Sequence, residues 1–243
     1  MESRPREITT NQLGVHEDLT SIVNKYRQSE FKKPIAEHTK QTFQLVIDWL
    51  GNWQGDVIID ACCGVGESTI VLAQQNPNAK VIGIDKSVAR LDKHAYYKRQ
   101  KDHESTDIRA ERGVDKSADN VKVFQADLND FWRLIADYSA TAKWTISKQC
   151  VFYPNPYPKK AQVQKRWHAS PAFIALLKCS RNIEVRSNWL TYLEEFQQAL
   201  SIHGVKSSIQ EVSGVPITPF ERKYTESGQQ CWQLQTVADG EDR

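Results

Sequence analysis

The sequence lacks long apolar runs. No window approaches the ~18 uninterrupted apolar residues that a membrane-spanning helix needs. Residues 1–6 contain no apolar core of the kind that signal peptides carry. These absences argue against a helical membrane protein, so we expect a cytoplasmic protein with no membrane partner.

Cysteine is scarce, and its spacing suggests neither disulfides nor zinc. The chain has five cysteines. Cys62 and Cys63 are adjacent and the other three are isolated, so no disulfide framework or metal-ligand spacing is present. We expect all five thiols to be reduced.

The histidines are scattered along the sequence as well, and their spacing predicts no metal site. We expect three of them to lie at the surface: His94, His103 and His168.

The sequence has little net charge. Its 32 Lys and Arg and 30 Asp and Glu give a formal net charge of +2, which by itself decides nothing about a nucleic-acid partner.

Residues 98–120 are densely charged and poor in apolar residues, which is typical of a surface insertion. The length suits one domain. We predict a polar N-terminal extension over residues 1–35 and one domain over residues 36–243 that contains the insertion.

The segments that are apolar alternate between strand and helix patterns. Short runs typical of buried parallel strands occur at residues 57–59, 81–84, 121–124 and 150–152. Helical spacing occurs at residues 43–50, 68–75 and 189–200, and two further strands are predicted at residues 209–215 and 232–236. This alternation predicts an α/β, Rossmann-like fold with a mainly parallel, twisted sheet and helices on both faces.

A glycine-containing loop follows the first predicted strand. It reads Asp60-Ala-Cys-Cys-Gly64-Val-Gly66-Glu67, and its small residues let a ligand approach the backbone closely. Asp85 and Asp127 follow the next two predicted strands. A carboxylate at the position of Asp85 can accept hydrogen bonds from both ribose hydroxyls of an adenosine group, and Asp127 could hold the adenine end. The pattern therefore favours a nucleoside cofactor over a purely structural turn.

Two features of this loop argue against a dinucleotide cofactor. Thr69 stands where the dinucleotide fingerprint has its third glycine. Asp60 and Glu67 place carboxylates where a pyrophosphate would prefer bare amides, whereas carboxylates suit the ammonium group of S-adenosylmethionine. Over roughly residues 55–200, the chain resembles the class I methyltransferases, which implies S-adenosyl-L-methionine as the cofactor.

A proline-rich loop follows the fourth predicted strand and reads Phe152-Tyr-Pro-Asn155-Pro-Tyr157-Pro-Lys-Lys160. Its prolines restrict Asn155 to few orientations, which suits a reaction that depends on alignment. Basic and aromatic side chains follow at once, a mixture typical of phosphate and base binding: Tyr157, Lys159, Lys160, Lys165, Arg166, Trp167 and His168. A solvated surface run with no RNA contact remains the alternative.

The order of motifs from the glycine loop to the C-terminus looks like the bacterial tRNA (guanine-N7)-methyltransferase family. The likeness is carried by 154–160 with Lys165-Arg166, by Ser187-Asn188-Trp189, by 216–222, and by Gly228 and Trp232. Residues 6–12 are loosely similar as well, whereas 98–120 are not covered. The resemblance implies tRNA as partner, cofactor contacts at Gly64, Gly66, Asp85 and Asp127, target-nucleotide contacts at Thr218, Glu221 and Arg222, and phosphate contacts at Lys159 and Arg166.

The sequence departs from this family at two carboxylates. The family's Pro-Asp-Pro-Trp is Pro154-Asn155-Pro156-Tyr157 here, and its Thr-Asp-Trp is Ser187-Asn188-Trp189. Methylation at guanine N7 leaves positive charge on the ring, which a carboxylate would stabilise and an asparagine would not. The candidate catalytic residues are therefore Glu221, which could supply the stabilising carboxylate near the target base, and Asn155, which would orient the target.

Two alternatives to guanine-N7 methylation stay open at this point. An asparagine between prolines and before a tyrosine also suits methyltransferases that act on exocyclic amines, where the amine must lose a proton. A catalytically weak RNA-binding relative, which has kept the fold without these carboxylates, is the other.

Overall fold

The computed structural model describes residues 7–94 and 120–237, which form two compact units. One unit contains residues 35–94 and 120–147, and the other contains residues 7–34 and 148–237. The predicted insertion lies outside the described residues except for Asn120. The predicted N-terminal extension packs, over residues 7–34, as part of the second unit.

Helices and strands alternate through most of the described chain. The helices are α1 (Leu19–Arg27), α2 (Glu37–Leu50), α3 (Glu67–Gln75), α4 (Val88–Leu91), α5 (Leu128–Tyr138), α6 (Phe173–Cys179), α7 (Leu190–Ile202) and α8 (Pro219–Glu226). The strands are β1 (Asp56–Ala61), β2 (Lys80–Asp85), β3 (Val121–Gln125), β4 (Thr145–Phe152), β5 (Ile183–Ser187), β6 (Ser207–Glu211) and β7 (Trp232–Thr236). Two 3-10 helices cover Lys160–Lys165 and Trp167–Ala169.

The unit of residues 35–147 is built on β1, β2 and β3. Both β1 and β2 are buried along almost their whole length, as expected for parallel strands covered on both faces. β2 pairs in parallel with β1 and with β3. Helices α2 and α5 pack through aromatic rings, with Phe43 edge-on to Phe131 at 5.9 Å between centroids. Apolar burial in β1 and β2 thus fixes the strands whose carboxyl ends carry the glycine loop and Asp85.

The unit of residues 7–34 and 148–237 combines parallel and antiparallel pairing. β4 and β5 run parallel, whereas β7 runs antiparallel to both β5 and β6. Helix α7 buries Tyr192 and Phe196 completely. The strand order is β3-β2-β1 in the first unit and β4-β5-β7-β6 in the second, and three of the five described strand pairs are parallel, which confirms the α/β fold and the mainly parallel sheet.

Several boundaries differ from the sequence patterns. The strand predicted at 209–215 ends at Glu211, because the chain turns at Gly214, whose φ is +94°. Helix α1 and strand β5 were not predicted, since α1 is polar on most of its surface and β5 is short and carries two charged residues.

Two further sequence expectations bear on the described chain. No helix within the described ranges is both long and apolar enough to span a membrane. The five cysteines all lie in these ranges, and none of them forms a disulfide.

Candidate functional site

The glycine loop forms a tight turn between β1 and α3. Cys62, Gly64 and Gly66 have φ angles of 62°, 60° and 76°, a left-handed conformation that glycine adopts without strain. The Cys63 amide donates to the carbonyl of Ile84 (3.1 Å), which ties the loop to β2. Within the described residues, a Cβ added at Gly64 would meet no atom within 4 Å. The backbone at Gly64 is therefore open to a ligand.

Asp60 anchors the start of α3 to β1. Its side chain is fully buried, and Oδ2 accepts hydrogen bonds from the hydroxyls of Ser68 and Thr69, both at 2.7 Å. These bonds fix the direction in which α3 leaves the loop. A contact between Asp60 and the cofactor's ammonium group stays a prediction.

Asp85, the last residue of β2, lies against the glycine loop. Its Oδ2 accepts from the Gly64 amide (3.0 Å) and its Oδ1 from the Ser87 amide (2.8 Å). Arg90, which sequence reasoning missed, places Nη1 3.6 Å from Oδ2. Since each carboxylate oxygen can accept two hydrogen bonds, the contacts made within the described residues leave Asp85 capacity for a ligand.

His94 packs on the other glycine of the loop. A Cβ added at Gly66 would overlap Nδ1 of His94, so only glycine fits beneath this ring. His94 is half-buried rather than fully at the surface as expected.

Asp127 caps helix α5, and its backbone neighbour joins it to Asp85. Its Oδ1 accepts from both the amide (2.9 Å) and the Nδ2 (2.8 Å) of Asn129. The Ala126 amide donates to the carbonyl of Asp85 (3.2 Å). The structure therefore brings Asp60, Gly64, Asp85 and Asp127 together at the carboxyl ends of β1, β2 and β3.

These residues fit S-adenosylmethionine. The open backbone at Gly64 leaves room for a ligand beside the loop, and the free acceptor capacity of Asp85 suits ribose hydroxyls. Asp127 would lie beside the adenine. When bound, the cofactor supplies an electrophilic methyl group.

The second group of candidates lies in the other unit, in a loop that we call the target loop (residues 153–159). Tyr153 and Tyr157 have positive φ angles of 49° and 45°, which non-glycine residues rarely adopt. The loop is held at both ends: the Tyr153 amide donates to the carbonyl of Arg186 (2.9 Å), and the Thr10 hydroxyl donates to the carbonyl of Pro158 (2.6 Å). The surrounding contacts therefore maintain its strained shape.

Asn155 is exposed at the middle of the target loop. Its Oδ1 accepts from the Tyr157 amide at 3.3 Å, a turn typical of asparagine. The exposed amide therefore offers Nδ2 as a donor, and Oδ1 has a second lone pair besides the one that faces Tyr157.

Glu221 is buried and paired. Both of its carboxylate oxygens lie near Nη1 of Arg186 (3.1 and 3.2 Å), while Nε of Arg186 donates to Glu184 (2.8 Å), which also binds Lys148 (2.6 Å). Burial opposes ionisation of Glu184, but Lys148 and Arg186 hold its pKa below the usual value. The negative charge of Glu221 is thus already compensated by Arg186, which weakens the case for Glu221 as a catalytic carboxylate.

The neighbours of Glu221 have structural roles. Oγ1 of Thr218, which is buried, caps helix α8 by accepting from the Glu221 amide (3.0 Å). Asn188 donates to Oε1 of Gln229 (3.0 Å). Arg222 follows in α8 and is half-buried. Substrate contacts by Thr218 and Arg222 stay predictions.

Three of the four predicted phosphate-binding residues reach the surface. Lys159 and Lys165 are exposed, and Nζ of Lys165 lies 5.8 Å from the centroid of the Tyr157 ring. Lys160 is partly exposed and pairs with Glu17 (2.6 Å). These lysines surround the end of the target loop on the same stretch of chain.

The predicted phosphate contact of Arg166 is wrong for this conformation. Its side chain is fully buried, and it binds Glu195, Gln12 and the carbonyl of Tyr157. No face of the guanidinium reaches solvent, so it cannot meet a phosphate in this conformation. His168 was likewise expected at the surface but is buried against Glu195 at 2.9 Å.

Sequence reasoning missed Arg90, Arg186 and Glu195. Glu195 was detectable, since it falls on the apolar face of α7 between Tyr192 and Ala199, where an unpaired charge would be costly. Arg186 pairs with Glu221, which is 35 positions away along the chain, so no local pattern marks it. Arg90 lies close to its partner Asp85 in the sequence, but no motif marks this pair.

Comparison with known proteins gives a family and a fold. The family described as "Putative methyltransferase" (Methyltransf_4) matches residues 54–236. A tRNA (guanine-N(7)-)-methyltransferase of Pasteurella multocida (strain Pm70) is 24% identical over 234 residues, which cover 88% of this chain and 82% of the relative. One of Nitrosococcus oceani is 26% identical over 192 residues, covering 75% and 72%.

Solved structures of low sequence identity share the fold. An antibiotic-related methyltransferase matches 80% of this chain and 93% of its own with a TM-score of 0.52 at 14% identity. The aminoglycoside resistance methyltransferase NpmB1 matches 81% and 94% with a TM-score of 0.50 at 16% identity. Because the matched family model spans most of the chain, including the glycine loop, this protein belongs to that methyltransferase family and is an S-adenosylmethionine-dependent methyltransferase.

Proposed function

We propose that this protein methylates N7 of a guanine in tRNA. The observation that carries the proposal is the match to curated relatives that bear this activity in their names, one of which aligns with 88% of the chain. The target loop and the lysines beside it support the same proposal, because they combine an oriented donor with groups suited to phosphates.

Methylation at guanine N7 requires mainly that the protein align the nucleophile with the methyl group. Guanine N7 presents a lone pair, so no proton has to leave before attack. The sulfur–methyl bond breaks as the N7–methyl bond forms, and the positive charge passes from sulfur to the purine. A reaction of this kind gains most from holding the nucleophile in line.

In this proposal the glycine loop, Asp85 and Asp127 bind the cofactor, and the target loop and its lysines bind the RNA. Asp85 accepts hydrogen bonds from the ribose hydroxyls, and Asp127 borders the adenine. In the part of the chain that the structure describes, Oδ1 of Asp85 accepts from the Ser87 amide and keeps a second lone pair for this purpose, whereas Oδ2 faces both the Gly64 amide and Arg90. The open backbone at Gly64 allows the amino-acid end of the cofactor to lie against the loop.

Asn155 would orient the target guanine. The Hoogsteen edge of guanine presents two acceptors, N7 and O6. The amide Nδ2 of Asn155 is a donor, and the bond from the Tyr157 amide to Oδ1 helps to orient it. A hydrogen bond from Nδ2 to O6 would leave the N7 lone pair available. Lys159 and Lys165 would meet phosphates of the RNA.

Methylation of an exocyclic amine is the second candidate, and the Asn155-Pro156-Tyr157 sequence favours it. That reaction needs an acceptor for the amine and a group that removes a proton. Tyr153 does not suit the task of a base, since burial, together with the neighbouring Cys231 and Glu221, raises its pKa well above the usual range. Glu221 is occupied by Arg186. The environment of the loop therefore favours guanine N7.

The decisive experiment identifies the methylated nucleoside. The full-length protein is incubated with unmodified, in-vitro-transcribed tRNA and methyl-labelled S-adenosylmethionine, and the RNA is digested and analysed by mass spectrometry. We expect label in 7-methylguanosine. Transcripts in which single guanosines are replaced by 7-deazaguanosine provide the matched control, because they lack the N7 atom.

The other outcomes discriminate between the alternatives. Label on an exocyclic amine, with 7-deazaguanosine transcripts still accepted, would overturn the proposal in favour of amine methylation. Binding of both cofactor and tRNA without turnover would indicate a catalytically weak RNA-binding relative.

A further inference from the structure

A fully buried carboxylate joins three separate segments of the second unit. Oε1 of Glu195 accepts from Nε2 of Gln12 (2.5 Å) and from the His16 amide (3.0 Å). Oε2 accepts from Nη1 of Arg166 (2.5 Å) and lies 2.9 Å from Nε2 of His168. Four hydrogen bonds use the full acceptor capacity of a carboxylate. Glu195 is therefore a saturated junction, which we call the Glu195 junction (Gln12, His16, Arg166, His168 and Glu195).

The Glu195 junction reaches the target loop through Arg166. Both Nε (3.2 Å) and Nη2 (3.0 Å) of Arg166 donate to the carbonyl of Tyr157, and Nη2 also donates to Oε1 of Gln12 (3.2 Å). The planar guanidinium thus bridges a fixed carboxylate and a single backbone carbonyl, a geometry that lysine cannot reproduce.

Tyr157 connects this bridge to Asn155. Its φ of 45° is strained for a residue with a side chain, and such a conformation persists only where the surroundings enforce it. Its carbonyl is held by Arg166, while its amide donates to Oδ1 of Asn155 (3.3 Å). Glu195, Arg166, Tyr157 and Asn155 therefore form a continuous series of contacts from the interior to the exposed amide.

The N-terminal segment supports the same loop at further points. The Thr10 hydroxyl binds the carbonyl of Pro158 (2.6 Å), and Oδ1 of Asn11 accepts from the Lys160 amide (2.9 Å). Residues 10–17 thus brace the target loop directly as well as through Gln12. Thr10 and Pro158 are 148 positions apart in the sequence, so these contacts form only when the chain folds.

We propose that Arg166, held by Glu195 and Gln12, is a positioning residue that sets the orientation of Asn155 through the backbone of Tyr157. This role rests on the proposed function only in that the target loop binds the methyl acceptor. Arg166 touches neither substrate nor cofactor in the proposal. It acts by keeping Tyr157 in its left-handed conformation.

The test combines kinetics with a readout that needs no substrate. Amide hydrogen exchange of Tyr157, measured by NMR or by mass spectrometry of peptides spanning 153–160, is compared in wild type and the variants Arg166→Lys and Gln12→Ala. We expect faster exchange at Tyr157 in both variants. Asn155→Ala is the positive control, because it removes the acceptor of this amide directly, and Gln28→Ala, an exposed glutamine in the same N-terminal region, is the matched negative control.

In methylation assays, we expect kcat to fall by roughly tenfold or more in Arg166→Lys, with the KM for tRNA and the affinity for S-adenosylmethionine close to wild type. Gln12→Ala, which removes only one partner of Arg166, should give a smaller loss in the same direction. It also keeps the proposal testable if Arg166→Lys does not fold.

Unchanged exchange at Tyr157 in folded Arg166→Lys and Gln12→Ala would overturn the proposal, as would a loss of activity that comes from tRNA affinity alone. The failure of the proposed function is distinguishable from this result. If wild-type protein does not methylate tRNA but Tyr157 exchange still responds to the variants, the positioning role stands and only the substrate is wrong.

Discussion

Asparagine at position 155 occupies the place of an aspartate in the family that the sequence resembles. In the structure its Oδ1 is held by the Tyr157 amide, so the side chain keeps its orientation while lacking a negative charge. Glu221 does not replace that charge, because Arg186 compensates it. A carboxylate placed at position 155 would therefore bring a negative charge to the target loop that Arg186 does not compensate.

We expect Asn155→Asp to preserve or raise turnover on tRNA, by up to roughly tenfold, because a carboxylate stabilises the positive charge that develops on the purine. The Tyr157 amide can donate to aspartate as it does to asparagine, so the loop should keep its shape. Single-turnover kinetics at saturating tRNA and cofactor measure the effect, with Asn78→Asp, an exposed position elsewhere, as control. A large loss of turnover with intact binding would contradict guanine-N7 chemistry at this loop.

Asp85 joins the glycine loop to the proposed ribose contact. We expect Asp85→Ala to weaken S-adenosylmethionine binding by on the order of 1–3 kcal/mol, or roughly five- to 150-fold in Kd. Calorimetry measures the change. Asp92→Ala removes an exposed aspartate from the same region and should bind normally. Wild-type affinity in a folded Asp85→Ala protein would show that the ribose lies elsewhere.

At the scale of elements, the turn from β1 into α3 shapes the cofactor site. Gly64 and Gly66 share left-handed backbone, but they differ in surroundings, since only Gly66 lies beneath the His94 ring. The two glycines therefore allow backbone strain to be separated from steric overlap.

Alanine substitution at each glycine should cost about 1 kcal/mol in backbone strain, and Gly66→Ala should lose additional stability and cofactor affinity because its Cβ overlaps His94. His94→Ala should recover that additional part in the Gly66→Ala background and should have no comparable effect in the Gly64→Ala background. Thermal unfolding and calorimetry on the double-mutant cycle check this. Equal losses at both glycines, without recovery, would show that His94 does not press on the loop.

The stretch from the target loop through the first 3-10 helix carries the exposed lysines. We expect replacement of Lys159, Lys160 and Lys165 by glutamine to weaken tRNA binding and to reduce the slope of log K against log salt by roughly 0.7–0.9 for each phosphate that a lysine no longer neutralises. Cofactor affinity should not change. The matched control replaces Lys25, Lys32 and Lys178, which are exposed in the same unit. An identical salt slope in the target-loop variant would assign these lysines to ordinary solvated surface.

At the scale of the whole molecule, buried charge links stability to pH. Burial opposes the ionisation of Glu195, yet hydrogen bonds from His168 and Arg166 hold its pKa at about 2, below the usual 4.5. Burial also lowers the pKa of His168 below 6.5. Both groups bind protons more readily in the unfolded chain, so acidification favours unfolding.

We expect the contribution of Glu195, roughly 3 kcal/mol, to be fully present above pH 4.5 and to be lost as the pH falls from 4.5 toward 2. His168 adds a loss that begins below pH 6.5. Glu195→Gln should be less stable at neutral pH, because Arg166 loses its partner, but should show a flatter decline between pH 4.5 and 2. Urea unfolding across this range measures both effects, with Glu194→Gln as the neighbouring control. Parallel pH profiles for wild type and Glu195→Gln would rule out the ionised Glu195 junction.

Much of the fold and the contact between Gly64 and Asp85 could be predicted from local patterns. The runs at 57–59 and 81–84 became β1 and β2 because short apolar runs rich in β-branched residues and bounded by turn residues are typical of buried parallel strands. Asp85 and Gly64 meet because they lie at the carboxyl ends of adjacent parallel strands. Arg166 could not be placed this way. A basic residue beside exposed lysines looks like a surface group, and only its distant partners Gln12 and Glu195 reveal otherwise.

The sequence by itself determined the α/β class, the glycine loop and the methyl donor, since these depend on apolar periodicity and on short motifs whose residues are neighbours in the chain. The tertiary structure decided which charges act inside the protein. Arg166 and Glu195 are 29 positions apart, and Arg186 and Glu221 are 35 apart. The burial of such pairs depends on long-range packing, because a charge leaves water only where a partner brought by the fold compensates the lost hydration.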